Sequence, residues 1–253
     1  MLIEKLFDDM KYCKCRDAVA TYERILETPA LSTAPASDQI AMLFSAERSG
    51  REGRRQQSMI RAAHLHEIAC PEDINYRAVR GLDRDLMAQL LLLEWVRRAL
   101  NVTFTGPAGC GKSWLACALA MQAIRSWLTV LYVRAPDLLE EFYVARRDGT
   151  LPKHRAKLTR PKLLILDDLG LGTLTDEGRS DFAELVHARE KKGSMIIISQ
   201  RPFDQWYHLF GDPSHADSAL DRLAYASHHI VLSGPSMRIE DGHERLRASM
   251  AGS

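Results

Sequence analysis

The chain has 253 residues, of which 46% are hydrophobic and 26% are charged, and its formal net charge is +1. This length suits one large domain, or one domain with a smaller appendage, and the composition is that of an ordinary globular protein. The balanced charge excludes a global attraction to nucleic acid, so any such contact must come from a local basic patch. The longest apolar runs are too short for a membrane span, and the N-terminus lacks a basic secretory region, so we expect a cytoplasmic protein without membrane contact.

Residues 1–70 are predicted to form a small, all-helical region that serves in assembly or in contact with DNA or a partner. Apolar residues recur there at helical spacing. A helix expected over residues 39–66 places three arginines on one face, namely Arg48, Arg51 and Arg55. A solvated helix face and a surface that tracks DNA phosphates are both open interpretations of this pattern. Gly50 and Gly53 argue against one unbroken helix.

Residues 71–253 are predicted to form a nucleotide-binding domain. A helix is expected from Asp83 to about Leu100, followed by a short apolar strand. Residues 106–113 then read Gly-Pro-Ala-Gly-Cys-Gly-Lys-Ser, which matches the pattern G-x-x-x-x-G-K-[ST]. Glycines in such a loop allow successive backbone N–H groups to point at a phosphate chain. An apolar helix follows, and strand, loop and helix form the context that this motif requires.

The chemistry of the loop assigns roles to its residues. Lys112 is expected to reach the β- and γ-phosphates, and Ser113 to offer its hydroxyl to Mg²⁺. The helix that follows adds the partial positive charge of its N-terminus. The predicted nucleotide contacts are Gly106, Pro107, Ala108, Gly109, Cys110, Gly111, Lys112, Ser113 and Trp114.

Two later strands end in polar residues. Four apolar residues lead into Asp167 and Asp168, as in a buried parallel strand whose carboxyl end faces the ligand. Asp167 is predicted to hold the Mg²⁺ shell, and Asp168 to orient or deprotonate the attacking water. Residues 194–199 are predicted to form another strand, which ends in the polar residues Ser199 and Gln200. One of these side chains could contact the γ-phosphate or its water, and an ordinary strand end is the alternative.

A dense basic segment lies between the phosphate loop and the strand that leads into Asp167. Residues 146–162 contain seven lysines or arginines, and Asp148 is their single acid. This density favours a nucleic-acid contact through Lys153, Arg155 and Lys157, and a solvated basic connector is the alternative.

Together these motifs resemble the AAA+ ATPases, in the branch of DnaC-like helicase loaders and IstB-like transposition helper proteins. The likeness rests on residues 106–113, 163–170, 194–202, 219–223 and 234–238. The Ser-Gln pair, Trp206 and residues 217–223 resemble the transposition helpers more than the loaders.

The resemblance implies an α/β fold, with a P-loop AAA+ core of five parallel strands flanked by helices on both faces. The stretch after Ser233 is too short for the helical lid domain of many AAA+ proteins, so no C-terminal lid is expected. Ser199 or Gln200 would be the sensor-1 group, and Arg222 an arginine finger that acts on ATP held by a neighbouring subunit. Arg238 would also touch nucleotide.

The resemblance further implies ATP and Mg²⁺ as cofactors and a homo-oligomer with the ATP site at the subunit interface. Double-stranded DNA and a cognate transposase are the implied partners. The expected function is that of a slow, DNA- or oligomer-stimulated ATPase that assembles on DNA and helps an insertion-sequence transposase. A DnaC-like helicase loader and a P-loop kinase of small molecules are the alternatives.

Overall fold

The computed structural model describes residues 2–171, 175–207 and 220–237. The chain divides into two compact units, Met1–Ser58 and Met59–Ser253, which we call the N-terminal and C-terminal units. The division lies earlier than the predicted boundary near residue 70. It falls inside one helix because Met59, Ile60 and Ala63, near the end of that helix, pack in the hydrophobic core of the C-terminal unit.

The N-terminal unit is helical, as its apolar periodicity predicts. Its helices are α1 (Leu2–Tyr12), α2 (Arg16–Glu27), α3 (Pro29–Ser32) and α4 (Ala36–Ala63), which continues into the C-terminal unit. The expected interruption of α4 was wrong, because both glycines lie within a continuous helix. A Cβ at Gly50 would lie 2.1 Å from Oδ2 of Asp17, so glycine at this position permits a close approach between α4 and α2.

The C-terminal unit is built on one parallel sheet. Its strands are β1 (Asn101–Thr105), β2 (Val130–Arg134), β3 (Leu163–Leu169), β4 (Ser194–Ser199) and β5 (Ser227–Val231). They pair in parallel in the order β2-β3-β4-β1-β5. The helices are α5 (Arg84–Leu91), α6 (Glu94–Arg97), α7 (Lys112–Arg125), α8 (Ala135–Arg147), α9 (Leu151–Thr159) and α10 (Asp176–Arg189). Residues 220–225 are also helical.

Both faces of β3 are buried, which explains why this strand begins as a continuous apolar run. In β3, Leu163 and Ile165 pack into one hydrophobic cluster, and Leu164 and Leu166 pack into a second. The predicted five-stranded parallel sheet with flanking helices is thereby confirmed. Within the residues described, no helix is both long enough and apolar enough to cross a membrane.

The helix expected from Asp83 to about Leu100 is two shorter helices, α5 and α6. Leu93 separates them in the left-handed backbone region, with φ of 62°, and its side chain is buried. The indole N–H of Trp95 donates a hydrogen bond at 2.8 Å to the Leu90 carbonyl oxygen, which also accepts one from the backbone N–H of Leu93 at 3.0 Å. The helix is therefore interrupted at Leu93, and both Leu93 and Trp95 are buried.

Candidate nucleotide-binding site

The phosphate loop, residues 106–113, connects β1 to α7. Gly106, Gly109 and Gly111 all have positive φ, which favours glycine. A Cβ at Gly106 would lie 2.1 Å from the Leu232 carbonyl oxygen, and one at Gly109 would lie 2.1 Å from Oγ of Ser236. Gly106 and Gly109 therefore serve both the loop conformation and the close approach of the segment that follows β5.

The ammonium group of Lys112 lies over this loop. Its Nζ donates hydrogen bonds to the carbonyl oxygens of Gly106 at 2.8 Å and Pro107 at 2.7 Å. The residue is buried, and the sulfur of Cys110 lies 3.8 Å from Nζ. Lys112 is thus held among neutral carbonyls that a phosphate group can replace as acceptors.

A cavity of about 300 Å³ opens beside the loop. The loop and α7 supply the predicted residues of its wall, Gly109, Gly111, Lys112, Ser113 and Trp114. Other segments supply Glu67, Asp73, Asn75, Arg80 and Met237, which sequence reasoning missed. Met237 lies in the stretch 234–238 that carries the family resemblance, whereas no motif marks the other four residues, because tertiary packing alone brings them to the loop.

Asp167 lies at the carboxyl end of β3 and is buried. The hydroxyl of Tyr132 donates a hydrogen bond to its Oδ2, and the backbone N–H of Asp168 donates to its Oδ1 at 2.7 Å. Burial and the contact with Asp167 raise the pKa of Tyr132, so the phenol stays protonated and remains a donor. Tyr132 fixes the orientation of this carboxylate, and no motif identifies it.

Asp168 points in a different direction from Asp167. The pairing of β3 with β4 is irregular between Leu166 and Leu169, and Asp168 has φ of 60°. Its carboxylate accepts hydrogen bonds from Nη2 of Arg134 at 3.0 Å and from Nε at 3.2 Å. The predicted water-orienting acid therefore carries an ion pair that the sequence did not reveal.

The donor set at these positions fits Mg²⁺. Ser113 and Asp167 offer oxygen ligands, and each Asp167 oxygen accepts one hydrogen bond, which leaves further lone pairs for a cation. Within the described ranges no cluster of three or more His, Cys, Asp or Glu residues forms a complete metal cage. Such a donor set suits a cation that is held partly by phosphates and water.

The two residues at the end of β4 differ in their surroundings. The Ser199 hydroxyl donates to the Leu169 carbonyl oxygen at 2.6 Å and accepts from the N–H of Arg201 at 3.1 Å. Ser199 is buried, whereas Gln200 is exposed. The hydroxyl of Ser199 thus ties β4 to β3, and the Gln200 side chain is the more accessible polar group.

Arg222 lies in the helical segment before β5. Its Nη1 is 3.2 Å from Oε2 of Glu190 and also contacts His187. The neighbouring residue in the chain, Asp221, accepts a hydrogen bond from the Tyr207 hydroxyl at 3.3 Å. Arg238 lies outside the described residues.

The predicted basic face of α4 is not a simple row of solvated cations. Nε of Arg51 donates to Oε1 of Glu47 at 2.6 Å, inside the N-terminal unit. Glu47 in turn accepts hydrogen bonds from the backbone N–H groups of Asp17 and Ala18 at the start of α2. Arg48 and Arg55 are exposed.

The basic segment 146–162 contains helix α9 rather than a plain connector. Arg146 and Arg155 both donate to Oδ1 of Asp181 at 2.7 Å, and Asp181 on α10 is only 2% exposed. Arg155 also contacts Glu184. Lys153 and Lys157 are exposed one turn apart. Two of the segment's charges therefore attach helices to one another, while others face solvent.

The comparisons with known proteins agree with this geometry. A family model for the IstB-like ATP binding protein matches residues 14–245. The insertion sequence ATP-binding protein y4pL of Sinorhizobium fredii is 41% identical over 202 residues, which cover 80% of this chain and 82% of that protein. The ATP-binding protein of insertion sequence IS21 from Pseudomonas aeruginosa is 30% identical over 219 residues, covering 87% and 83%.

Solved structures share the fold at lower identity. The crystal structure of DnaI matches with a TM-score of 0.56 and 19% identity. The matched region covers 65% of this chain and 90% of the DnaI chain. The crystal structure of the DnaC helicase loader has a TM-score of 0.55 and 18% identity, covering 65% and 96%. The predicted AAA+ P-loop fold is confirmed, and the chain belongs to the IstB-like ATP-binding protein family.

Proposed function

We propose that this chain is an ATP-hydrolysing DNA-assembly factor that helps an insertion-sequence transposase. One observation carries the proposal: a phosphate loop with a buried lysine opens onto a cavity, in a sheet whose β3 ends in two aspartates. Relatives that cover most of the chain are named as insertion sequence ATP-binding proteins, which supports the transposition role.

Nucleotide binding uses the phosphate loop and the start of α7. Lys112 exchanges the carbonyls of Gly106 and Pro107 for phosphate oxygens, and the backbone N–H groups of the loop supply further donors. Bound Mg²⁺ supplies positive charge that neutralises the phosphates. Ser113 and Asp167 would hold this ion, and Tyr132 keeps the Asp167 carboxylate oriented.

Hydrolysis requires a group that orients water and a cation that stabilises developing charge. Asp168 is the proposed water-orienting acid, and it must give up at least part of its ion pair with Arg134 to act. The accessibility of Gln200 supports it as the sensor group in preference to Ser199. Arg222 of one subunit acts on the ATP of its neighbour in a homo-oligomer.

Double-stranded DNA and a transposase are the proposed partners. Lys153 and Lys157 on α9, together with Arg48 and Arg55 on α4, are the proposed DNA contacts because their side chains are exposed. The likeness to DnaI and the DnaC helicase loader, at under 25% identity, supports the fold and gives no reason to prefer helicase loading.

The test combines nucleotide binding with hydrolysis in the presence and absence of duplex DNA. Wild-type protein is expected to bind ATP and to hydrolyse it faster when duplex DNA is added. Lys112→Ala is expected to lose nucleotide binding, and Asp168→Asn to bind ATP without hydrolysing it. Stimulation by a replicative helicase but not by DNA would favour a loader, and DNA-independent turnover of a small-molecule acceptor would favour a kinase.

A further inference from the structure

Arg80 is a buried arginine at the phosphate loop that no motif predicts. The residue is 4% exposed and lines the cavity that contains Lys112 and Ser113. Its Nη2 donates to the Asn75 carbonyl oxygen at 3.1 Å, and its Nη1 donates weakly to the Cys110 carbonyl oxygen at 3.4 Å. Its Nε is buried with no hydrogen-bond partner.

No carboxylate compensates this charge within the part of the chain that the structure describes. Burial lowers the pKa of the Arg80 guanidinium, and the side chains that oppose this effect are Cys110 and Tyr76 rather than a carboxylate. A buried cation without a counter-charge is costly in free energy, unless an anion binds beside it. Glu67 and Asp73 line the same cavity, yet neither forms an ion pair with Arg80.

The contact between Arg80 and the loop depends on a motif glycine. A Cβ at Gly111 would lie 2.4 Å from Nη1 of Arg80, so a side chain at that position would displace the guanidinium. Gly111 immediately precedes Lys112 and the N-terminus of α7. The guanidinium therefore lies beside the loop, next to the residue that precedes Lys112.

Arg189 shows what a structural buried arginine looks like in the same unit. It is 1% exposed and also has an unpartnered Nε. Its terminal nitrogens, however, donate to four carbonyl oxygens, those of Leu158, Pro161, Lys162 and Ser194. Arg189 therefore connects chain segments, whereas Arg80 has fewer acceptors and lines a cavity.

We propose that Arg80 is a second cationic ligand of the nucleotide, which binds a phosphate oxygen alongside Lys112. The inference rests on the proposed nucleotide site and adds a residue to it. Arginine suits this role because its charge persists in a buried site and its planar guanidinium can donate two hydrogen bonds to a phosphate. The phosphate supplies the counter-charge that the surrounding side chains lack.

Two substitutions separate charge from tethering. Arg80→Gln retains an amide donor for the Cys110 or Asn75 carbonyl but removes the charge, and Arg80→Lys retains the charge. Titration with fluorescent mant-ADP should show an affinity about ten- to a hundredfold lower for Arg80→Gln, as expected for loss of a hydrogen bond to a charged group. Arg80→Lys should recover part of that loss. The inhibition constant of inorganic pyrophosphate, obtained by competition with mant-ADP, should rise in Arg80→Gln by a similar factor, because both ligands lose the same contact.

The melting temperature of the nucleotide-free protein provides the second readout. Arg80→Gln removes an uncompensated buried charge, so its melting temperature should equal or exceed that of wild type. The matched control, Arg189→Gln, should melt at a lower temperature and bind mant-ADP with wild-type affinity in the protein that remains folded.

Three results would overturn the inference. The first is wild-type mant-ADP affinity in Arg80→Gln, and the second is an unchanged inhibition constant of pyrophosphate in that variant. The third is a lowered melting temperature with equal affinity losses in the Gln and Lys variants. The last result would make Arg80 a tether like Arg189. Lys112→Ala distinguishes the two proposals, because undiminished mant-ADP binding by that variant would refute the phosphate-loop site itself, whatever the Arg80 variants do.

Discussion

The hydroxyl of Tyr132 donates a hydrogen bond to the carboxylate of Asp167 across the neighbouring strands β2 and β3. The Tyr132 ring also stacks on His66, with the ring planes 16° apart. The acid proposed to hold Mg²⁺ is thus oriented by an aromatic residue that is itself packed in place. Loss of a residue that orients a metal ligand in this way typically costs about ten- to a hundredfold in metal affinity or activity.

Tyr132→Phe should therefore weaken the response to Mg²⁺. We expect the Mg²⁺ concentration for half-maximal ATP hydrolysis to rise about ten- to a hundredfold, because the Asp167 carboxylate loses a buried donor. Tyr143→Phe is the matched control, since Tyr143 lies exposed on α8. An unchanged Mg²⁺ dependence in Tyr132→Phe would show that the hydrogen bond does not serve the metal site.

The ion pair between Arg134 and Asp168 should restrain basal hydrolysis. Both side chains are partly exposed, at 47% and 28%, so the pair is worth at most about 1 kcal/mol. Arg134→Gln should free the carboxylate and raise DNA-independent kcat by about two- to fivefold. Asp137→Asn removes the other acid near Arg134, 3.6 Å away, and should leave kcat unchanged. A lower kcat in Arg134→Gln would mean that Arg134 assists Asp168.

Different residues of the basic helix α9 are expected to serve DNA binding and stability. Affinity for duplex DNA falls with salt, and the slope of log K against log salt measures how many phosphates are neutralised. Replacing Lys153 and Lys157 by Gln should make this slope less steep by about 0.9 for each phosphate contact that is lost. Arg155→Gln should instead reduce the free energy of unfolding by about 1.5–3 kcal/mol, because Asp181 loses a charged hydrogen bond. An unchanged salt slope in the lysine variant would make α9 a solvated helix.

The carboxylate of Glu47 should make stability depend on pH. Burial acts to raise its pKa, but hydrogen bonds from Arg51, Ala18 and Asp17 outweigh that effect, and the pKa is lowered from 4.5. A pKa lower in the folded state gives stability that is present above about pH 4.5 and is lost as pH falls through the folded pKa. Chemical denaturation followed by helical circular dichroism at several pH values measures this loss.

Glu47→Gln should remove that part of the pH dependence. At pH 7 it should also reduce the free energy of unfolding by about 1–2 kcal/mol, the range for loss of a helix cap. Glu52→Gln is the control, because Glu52 is exposed and lies 3.8 Å from Arg48. Identical acid sensitivity in wild type and Glu47→Gln would contradict the assignment.

Local patterns predicted the fold because its determinants are local. The phosphate loop depends on glycines within one segment, and the apolar run before Asp167 follows from burial of both sheet faces. The predicted fold and the order of its elements agree with the structure for that reason. The roles of the loop lysine and the two aspartates remain proposals that the geometry supports.

The contacts that the sequence did not predict arise between segments that are distant along the chain. Tyr132 reaches Asp167 only through the pairing of β2 with β3, and Arg155 finds Asp181 only through the packing of α9 on α10. Arg80 approaches the loop from a segment with no recognisable pattern. A count of basic residues cannot separate arginines that bind buried acids from lysines that face solvent, because burial decides which is which.

The arginine-finger proposal makes the most demanding prediction, because it concerns two subunits at once. Within the chain, Arg222 is paired with Glu190 at 3.2 Å, and both side chains are more than a third exposed. An exposed pair is worth about 1 kcal/mol or less, so contact with a neighbouring subunit's nucleotide can replace it. Arg222→Ala should bind ATP normally and hydrolyse it about 10³- to 10⁵-fold more slowly.

Mixing Arg222→Ala with Lys112→Ala should restore part of the ATPase activity. In a mixed assembly, the intact ATP site of the first variant can face the intact arginine of the second, so neither defect blocks that interface. Glu190→Gln serves as the matched control, because it removes the partner of Arg222 within the chain and should leave hydrolysis at least as fast as in wild type. Hydrolysis by wild type should also rise more steeply than linearly with protein concentration. Mixed assemblies that demonstrably form but never regain activity would show that Arg222 does not act across the interface.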